Sequence, residues 1–230
     1  GGKHIRILGS QLVLRGSVML NIVRTSLGGT GQMIIATTSW IFLLRILASI
    51  GSEAVAGATI GIRIMMFTLM PAWGMSNAAA TLVGQNLGAQ QPERATAAVW
   101  RIGWYNMVFT LSVSVLFFFF HDRIVAIFSD DARVIAIGGE WLSILAWSYF
   151  VYGWWMVSVQ AYNGAGDTMT PTWINLVFFW MIQIPLSWLL AIQLGWQHSG
   201  VFWGTFVSET SVGLFTLWLF SRGGWKKAQV

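Results

Sequence analysis

Two stretches of this chain, Ile64–Gln91 and Thr168–Ser208, contain no aspartate, glutamate, lysine or arginine. Each exceeds the roughly 20 residues that an α-helix needs to cross about 30 Å of hydrocarbon. A water-soluble domain cannot leave so much sequence uncharged, because about a quarter of its residues are normally ionic. Here 9% of 230 residues are charged and 56% are apolar. In lipid a helix satisfies its own backbone hydrogen bonds, so the expected fold class is all-α and polytopic.

Six apolar segments divide the chain, at about 27–48, 55–82, 97–120, 135–160, 172–194 and 200–220. Residues 1–25 differ. Lys3, Arg6, Arg15 and Arg24 alternate with Ile5, Ile7, Leu8, Leu12, Leu14, Met19, Leu20 and Val23, a pattern for an amphipathic helix on the membrane surface. The organisation read from this is a linker helix over 1–25, a six-helix unit over 26–221 and a basic tail over 222–230. The chain opens on Gly1 rather than methionine and carries no signal-peptide pattern, which reads as a piece of a longer protein.

The net charge of +5 would suggest nucleic acid on a soluble protein. Here the membrane explains it, because basic residues collect in cytoplasmic loops. Six spans put both termini on one side, together with Arg94, Arg101, Arg222, Lys226 and Lys227; the other side has Arg123 and Arg133, with Arg45 close by. Both termini and the 84–96 loop are therefore expected in the cytoplasm of a cell with the chain in its inner membrane. Trp196, Trp203 and Trp225 lie near segment ends, where an interfacial aromatic belt is expected. Ala54, Gly57, Ala58 and Gly61 form a small-residue stripe that lets a neighbouring helix approach.

Catalytic chemistry finds little support. Cysteine is absent, so thiolate sites are excluded, and no GxSxG, HExxH or P-loop occurs. His4, His121 and His198 are too dispersed for a metal site. No enzyme activity, metal or cofactor is expected.

One loop punctuates the apolar sequence: "VGQNLGAQQPERA", Val83–Ala95. Its glycines permit a left-handed helix end, Pro92 suits the first turn of a new helix and Glu93 complements that helix's dipole. Upstream lies "IGIRIMMFTLMP" (Ile60–Pro71), and downstream "IFSDDARVIA" (Ile127–Ala136) and "NGAGDTMTP" (Asn163–Pro171). Taken in this order and spacing, from about residue 20 onward, they resemble the C-terminal half of MATE (multidrug and toxic compound extrusion) transporters. The resemblance implies two six-helix lobes, of which this chain is the C-terminal one and the partner N-terminal lobe is missing. It also implies alternating access in a lipid bilayer, with export of bulky, often cationic small molecules in exchange for H⁺ or Na⁺.

Charge inside a bilayer is costly and marks function. Arg63 and Glu209 are the two charges read as deep in spans, at equal estimated depth and of opposite sign, so pairing between them is an economical expectation. Arg63 falls within the family-like motif. Where many members carry an acid two residues later, this chain has Met65. Where a C-lobe Na⁺ site would place acids, it has Gln32 or Ala36, and Tyr152. No Na⁺ site is therefore expected from this lobe alone. Pro71 and Pro185 are expected to kink their helices. Tyr152, Trp155, Gln160, Asn175 and Gln183 are candidates for the cleft wall, offering aromatic faces and amides. Met66, with Met70 and Met75, would add an adaptable apolar wall. Asp167 reads as a turn and capping residue. The alternatives are a lipid-linked glycan flippase, which wants a strongly basic cavity, and a membrane scaffold without transport.

Overall fold

A computed structural model describes residues 16–227. Among them the chain is all-helical. The elements are α1 (Gly16–Ala48), α2 (Ser52–Gly88), α3 (Pro92–Val125), α4 (Ala132–Ala146), α5 (Tyr149–Gly164), α6 (Met169–Asn175), α7 (Ile184–Trp188) and α8 (Gln197–Ser221). Wider π-helical turns, Leu176–Gln183 and Leu189–Gln193, flank α7 and join it to α6 as a single rod, Met169–Gln193.

Four helices are long and apolar enough to cross a membrane: Ser26–Ala48, α2, α3 and the Met169–Gln193 rod. A fifth crossing is counted if α4 and α5, bent by 63° at Trp147–Ser148, form one span. The sixth expected span corresponds to α8. It has 25 residues, but Gln197, His198, Glu209 and its serines and threonines dilute its apolarity. Residues 1–15 of the expected surface helix lie outside the described residues. From Gly16 the chain is already helical and runs through position 25 into the first span unbroken.

The interior forms where α2, α3, α4 and α5 meet. The small-residue stripe works there as expected: a Cβ at Gly57 would sit 2.9 Å from Ile137, and one at Gly61 would strike the Trp141 ring. Trp141, Leu142, Leu145, Tyr149 and Phe117 fill the space behind them. A second core gathers Val83, Val99, Val157, Ala161 and Phe220. Trp225 belongs to that core. It is 1% exposed, stacks on Phe220 at 5.0 Å and donates its indole N–H to the Phe220 carbonyl. This corrects its assignment to an interfacial belt: a 3-10 turn, Gly224–Lys227, folds the ring back onto the bundle. Trp196 and Trp203 do remain exposed.

Both prolines lie within helical segments. α2 runs through Pro71 as one helix. At Pro185 the missing N–H is accommodated by the π-helical winding on either side. A bend of 63° falls at Trp147–Ser148, where there is no proline. It is held by contacts: Ser148 Oγ donates to Leu145 O at 3.2 Å, and Ser114 Oγ of α3 donates to Ala146 O, a carbonyl left over at the end of α4.

The α2–α3 loop keeps its expected Pro92 start and Glu93 first turn. Its left-handed residue, however, is Gln90 at φ 56°, while Gly84 and Gly88 stay helical. In the α5–α6 loop Gly166 takes φ 82°, and Asp167 accepts from Thr170 N and Oγ1 at 3.0 and 2.6 Å.

Candidate functional site

One side of α2 is exposed along most of its length. Arg63, Met66, Phe67, Met70, Gly74, Asn77 and Thr81 are exposed at the three- and four-residue steps of one helical face. Met66 and Met70, at 53% and 60% exposure, flank an exposed Phe67. The stripe thus runs from a cation at one end, through flexible apolar side chains, to an amide at the other.

Behind this face lies a polar–aromatic interior. The Tyr149 hydroxyl is 2.6 Å from Thr68 Oγ1 and donates to Met65 O at 3.1 Å, tying α5 to α2. Tyr149 stacks with Tyr152, Tyr152 contacts Trp155 at 4.8 Å, and Trp155 meets Phe179 edge-on at 5.9 Å. Glu209 of α8 is 3% exposed and within electrostatic reach of both tyrosines. No ion pair or hydrogen-bonding side chain engages its carboxyl group among the described residues. Trp155 Nε1 and Asn175 Oδ1 are likewise buried without a hydrogen-bond partner. Burying an unpaired polar group costs several kcal/mol, and an unpaired charge costs far more.

A second constellation sits near the other end of the face. Gln32 Nε2 donates to Thr168 O at 3.0 Å and to Asn163 Oδ1 at 3.1 Å. Asn163 Nδ2 donates to Gln160 Oε1 at 2.9 Å, and Gln160 donates to Asn77 on α2. This amide chain links α1, α5 and α2.

The expected residues thus separate into groups. Gln32 and Gln160 meet through Asn163. Tyr152, Trp155 and Glu209 lie together. Gln183 is buried apart from them, with its Oε1 3.2 Å from Ser39 Oγ of α1. Arg63 and Met66 stand on the open face. The Arg63–Glu209 pair does not form, because Arg63 points away from the bundle while Glu209 points into it. Equal depth says nothing of the direction around a helix.

Three residues escaped sequence reasoning. Asn106, fully buried in α3, donates from Nδ2 to Gly153 O at 3.1 Å, Ser76 Oγ at 3.2 Å and Ala72 O at 3.4 Å. An amide inside an apolar run was the available signal. Asn163 falls between the apolar segments of the sequence, yet it is the hub of the amide chain. Glu140 is a further charge within an apolar segment; it lies in α4 and pairs with His198 of α8 at 3.1 Å.

Comparison with known proteins places this geometry. The MatE family model matches residues 30–189. The probable multidrug resistance protein NorM of Thermotoga maritima is 27% identical over 210 residues, covering 91% of this chain and 45% of that protein. The probable multidrug resistance protein YoeA of Bacillus subtilis is 22% identical, covering 93% of this chain and 46% of its own. A MOP superfamily transporter from Pyrococcus furiosus superposes with a TM-score of 0.81 at 18% identity, over 89% of this chain and 45% of that one. The chain therefore spans about half the length of the curated relatives it matches.

Proposed function

Since the chain belongs to the MatE family, a family of multi-pass membrane transporters rather than enzymes, we propose that it is the C-terminal lobe of a secondary antiporter. The antiporter exports bulky, often cationic compounds against an inward cation gradient. The relatives' names and the half-length match support this reading. So does the free face of α2, which would form one wall of a cleft shared with an N-terminal lobe. Met66, Phe67 and Met70 would adapt to varied apolar substrates, and Arg63 and Asn77 would bound the wall. A glycan flippase would want a row of cations along this face, which bears Arg63 amid apolar and amide side chains.

The observation that carries the coupling proposal is the position of Glu209: a carboxyl group inside the bundle, unpaired among the described residues, facing Tyr152 and Tyr149. A carboxyl in that setting exchanges a proton at a large change in local electrostatics. Through the Tyr149–Thr68 hydrogen bond that change would be felt on α2, the helix bearing the substrate wall. The same surroundings disfavour Na⁺, which wants several hard oxygen ligands. The Tyr149 and Tyr152 phenols stand near Glu209, while Gln32, a candidate for such a ligand, is engaged by Asn163 and Thr168. The biased basic residues support termini in the cytoplasm and residence in the inner membrane.

The test is drug efflux from cells expressing the full-length gene, with the proton and sodium gradients collapsed separately. Efflux that stops with the proton gradient and survives loss of the sodium gradient is the expected result. Dependence on sodium alone would reverse the coupling assignment.

A further inference from the structure

A groove of about 480 Å³ opens between α1 and the Met169–Gln193 rod, away from the α2 face. Its walls follow from the helices. On α1, Phe42, Arg45, Ile46 and Ser49 share one face; on the rod, Ile184, Trp188 and Ile192 recur every fourth residue. The helices are pinned together below the groove: Trp180 Nε1 donates to Ile35 O at 3.1 Å, and Ser39 Oγ lies 3.2 Å from Gln183 Oε1. Beyond these pins packing with α1 fades as the rod passes Pro185 into its second π-helical turn, so a cleft widens toward Ala48 and Gln193.

The groove is apolar along its length and cationic at its mouth. Arg45 is exposed in the last turn of α1, and none of the ion pairs among the described residues involves it. Ser49 spends its hydroxyl proton on Ile46 O, which leaves Arg45 as the donor at the mouth. A guanidinium forms paired, charge-assisted hydrogen bonds with a phosphodiester. The exposed faces of Phe42, Trp188 and Ile192 line the groove without filling it. A hydrocarbon chain laid there would gain contact on both sides.

We infer that this groove binds one phospholipid of the surrounding leaflet, with its phosphate on Arg45 and one acyl chain between α1 and the Met169–Gln193 rod. Anionic headgroups bind best, because no carboxylate of the described residues competes for the guanidinium. This site is independent of the transport reading.

The experiment uses the full-length protein that contains this chain, purified in detergent and titrated with phosphatidylglycerol or with phosphatidylcholine of the same chains. Bound lipid is counted by native mass spectrometry, and glycerophosphate serves as the chain-free headgroup. One retained phosphatidylglycerol is expected, held more tightly than phosphatidylcholine, with no retained glycerophosphate. Arg45→Gln should weaken retention by about fivefold or more, the worth of one basic residue near anionic lipid. Arg45→Lys should restore part of it. Ile192→Trp, which fills the groove and leaves the cation, should weaken it as well. Arg45 and Ile192 are both exposed, so melting temperatures without added lipid should match the parent. Unchanged retention in either Arg45→Gln or Ile192→Trp would overturn the site, and glycerophosphate held as tightly as lipid would make it a free-phosphate site instead.

Discussion

Asn106 and Glu209 are both polar, both buried and both in the middle of apolar helices, yet the bundle treats them differently. Asn106 is spent on structure: its amide nitrogen gathers acceptors from α2 and α5 and pins three helices together. Its Oδ1 is left without a partner, a cost that a neutral amide can bear at about 1–3 kcal/mol. Glu209 holds nothing in place. Its neighbours include the Tyr149 and Tyr152 rings, and a charge there would cost much more than an amide dipole. A side chain that staples a fold has its bonds already made; one kept for a working cycle has them still to make.

The contrast predicts opposite outcomes for substitution. Glu209→Gln removes the proton-exchanging group and breaks no contact, so efflux should fall at least about fivefold, the low end of coupling energies between sites. Melting temperature in detergent should hold or rise. A variant that transports normally would reduce Glu209 to packing and erase the contrast.

Asn106→Leu should do the reverse. Losing the interhelical bonds should cost about 1–2 kcal/mol of stability, read as a lower melting temperature. Efflux per folded molecule should stay near the parent's. A pure transport defect at parental stability would move Asn106 into the same class as Glu209.

The smallest effect is expected from combining Arg63→Met with Glu209→Gln. With Arg63 on the outer face and Glu209 inside, the two stability changes should add to within about 0.5 kcal/mol. Strong non-additivity in the double-mutant cycle would mean that the two charges meet in another conformation of the transporter, and the simple separation of the two roles would fail.

Length and apolarity made the helices legible in the sequence, and Pro92, Gly166 and Asp167 marked their turns. The grouping of candidates was only half legible. Gln32 and Gln160 lie far apart in sequence, and nothing in either predicts that Asn163 will bridge them. Arg63 and Glu209 were matched by depth, but the direction in which a side chain leaves its helix depends on how that helix is rotated against its neighbours. Apolar residues around the whole circumference of a span leave that rotation poorly specified. The bend at Trp147–Ser148 carries no proline to announce it, because packing from α3 stabilises the broken ends.

That broken crossing has a mechanical consequence. A straight rod couples its ends: tilt one and the other swings through the same angle. A rod cut at 63° gives each half its own lever arm. The α4 half is clasped to α8 by His198 and nested against Gly57 and Gly61, while the α5 half is held at its far end by Asn77 and Gln32 through Gln160 and Asn163. The two halves of this crossing thus lie on different axes and are anchored to different partners.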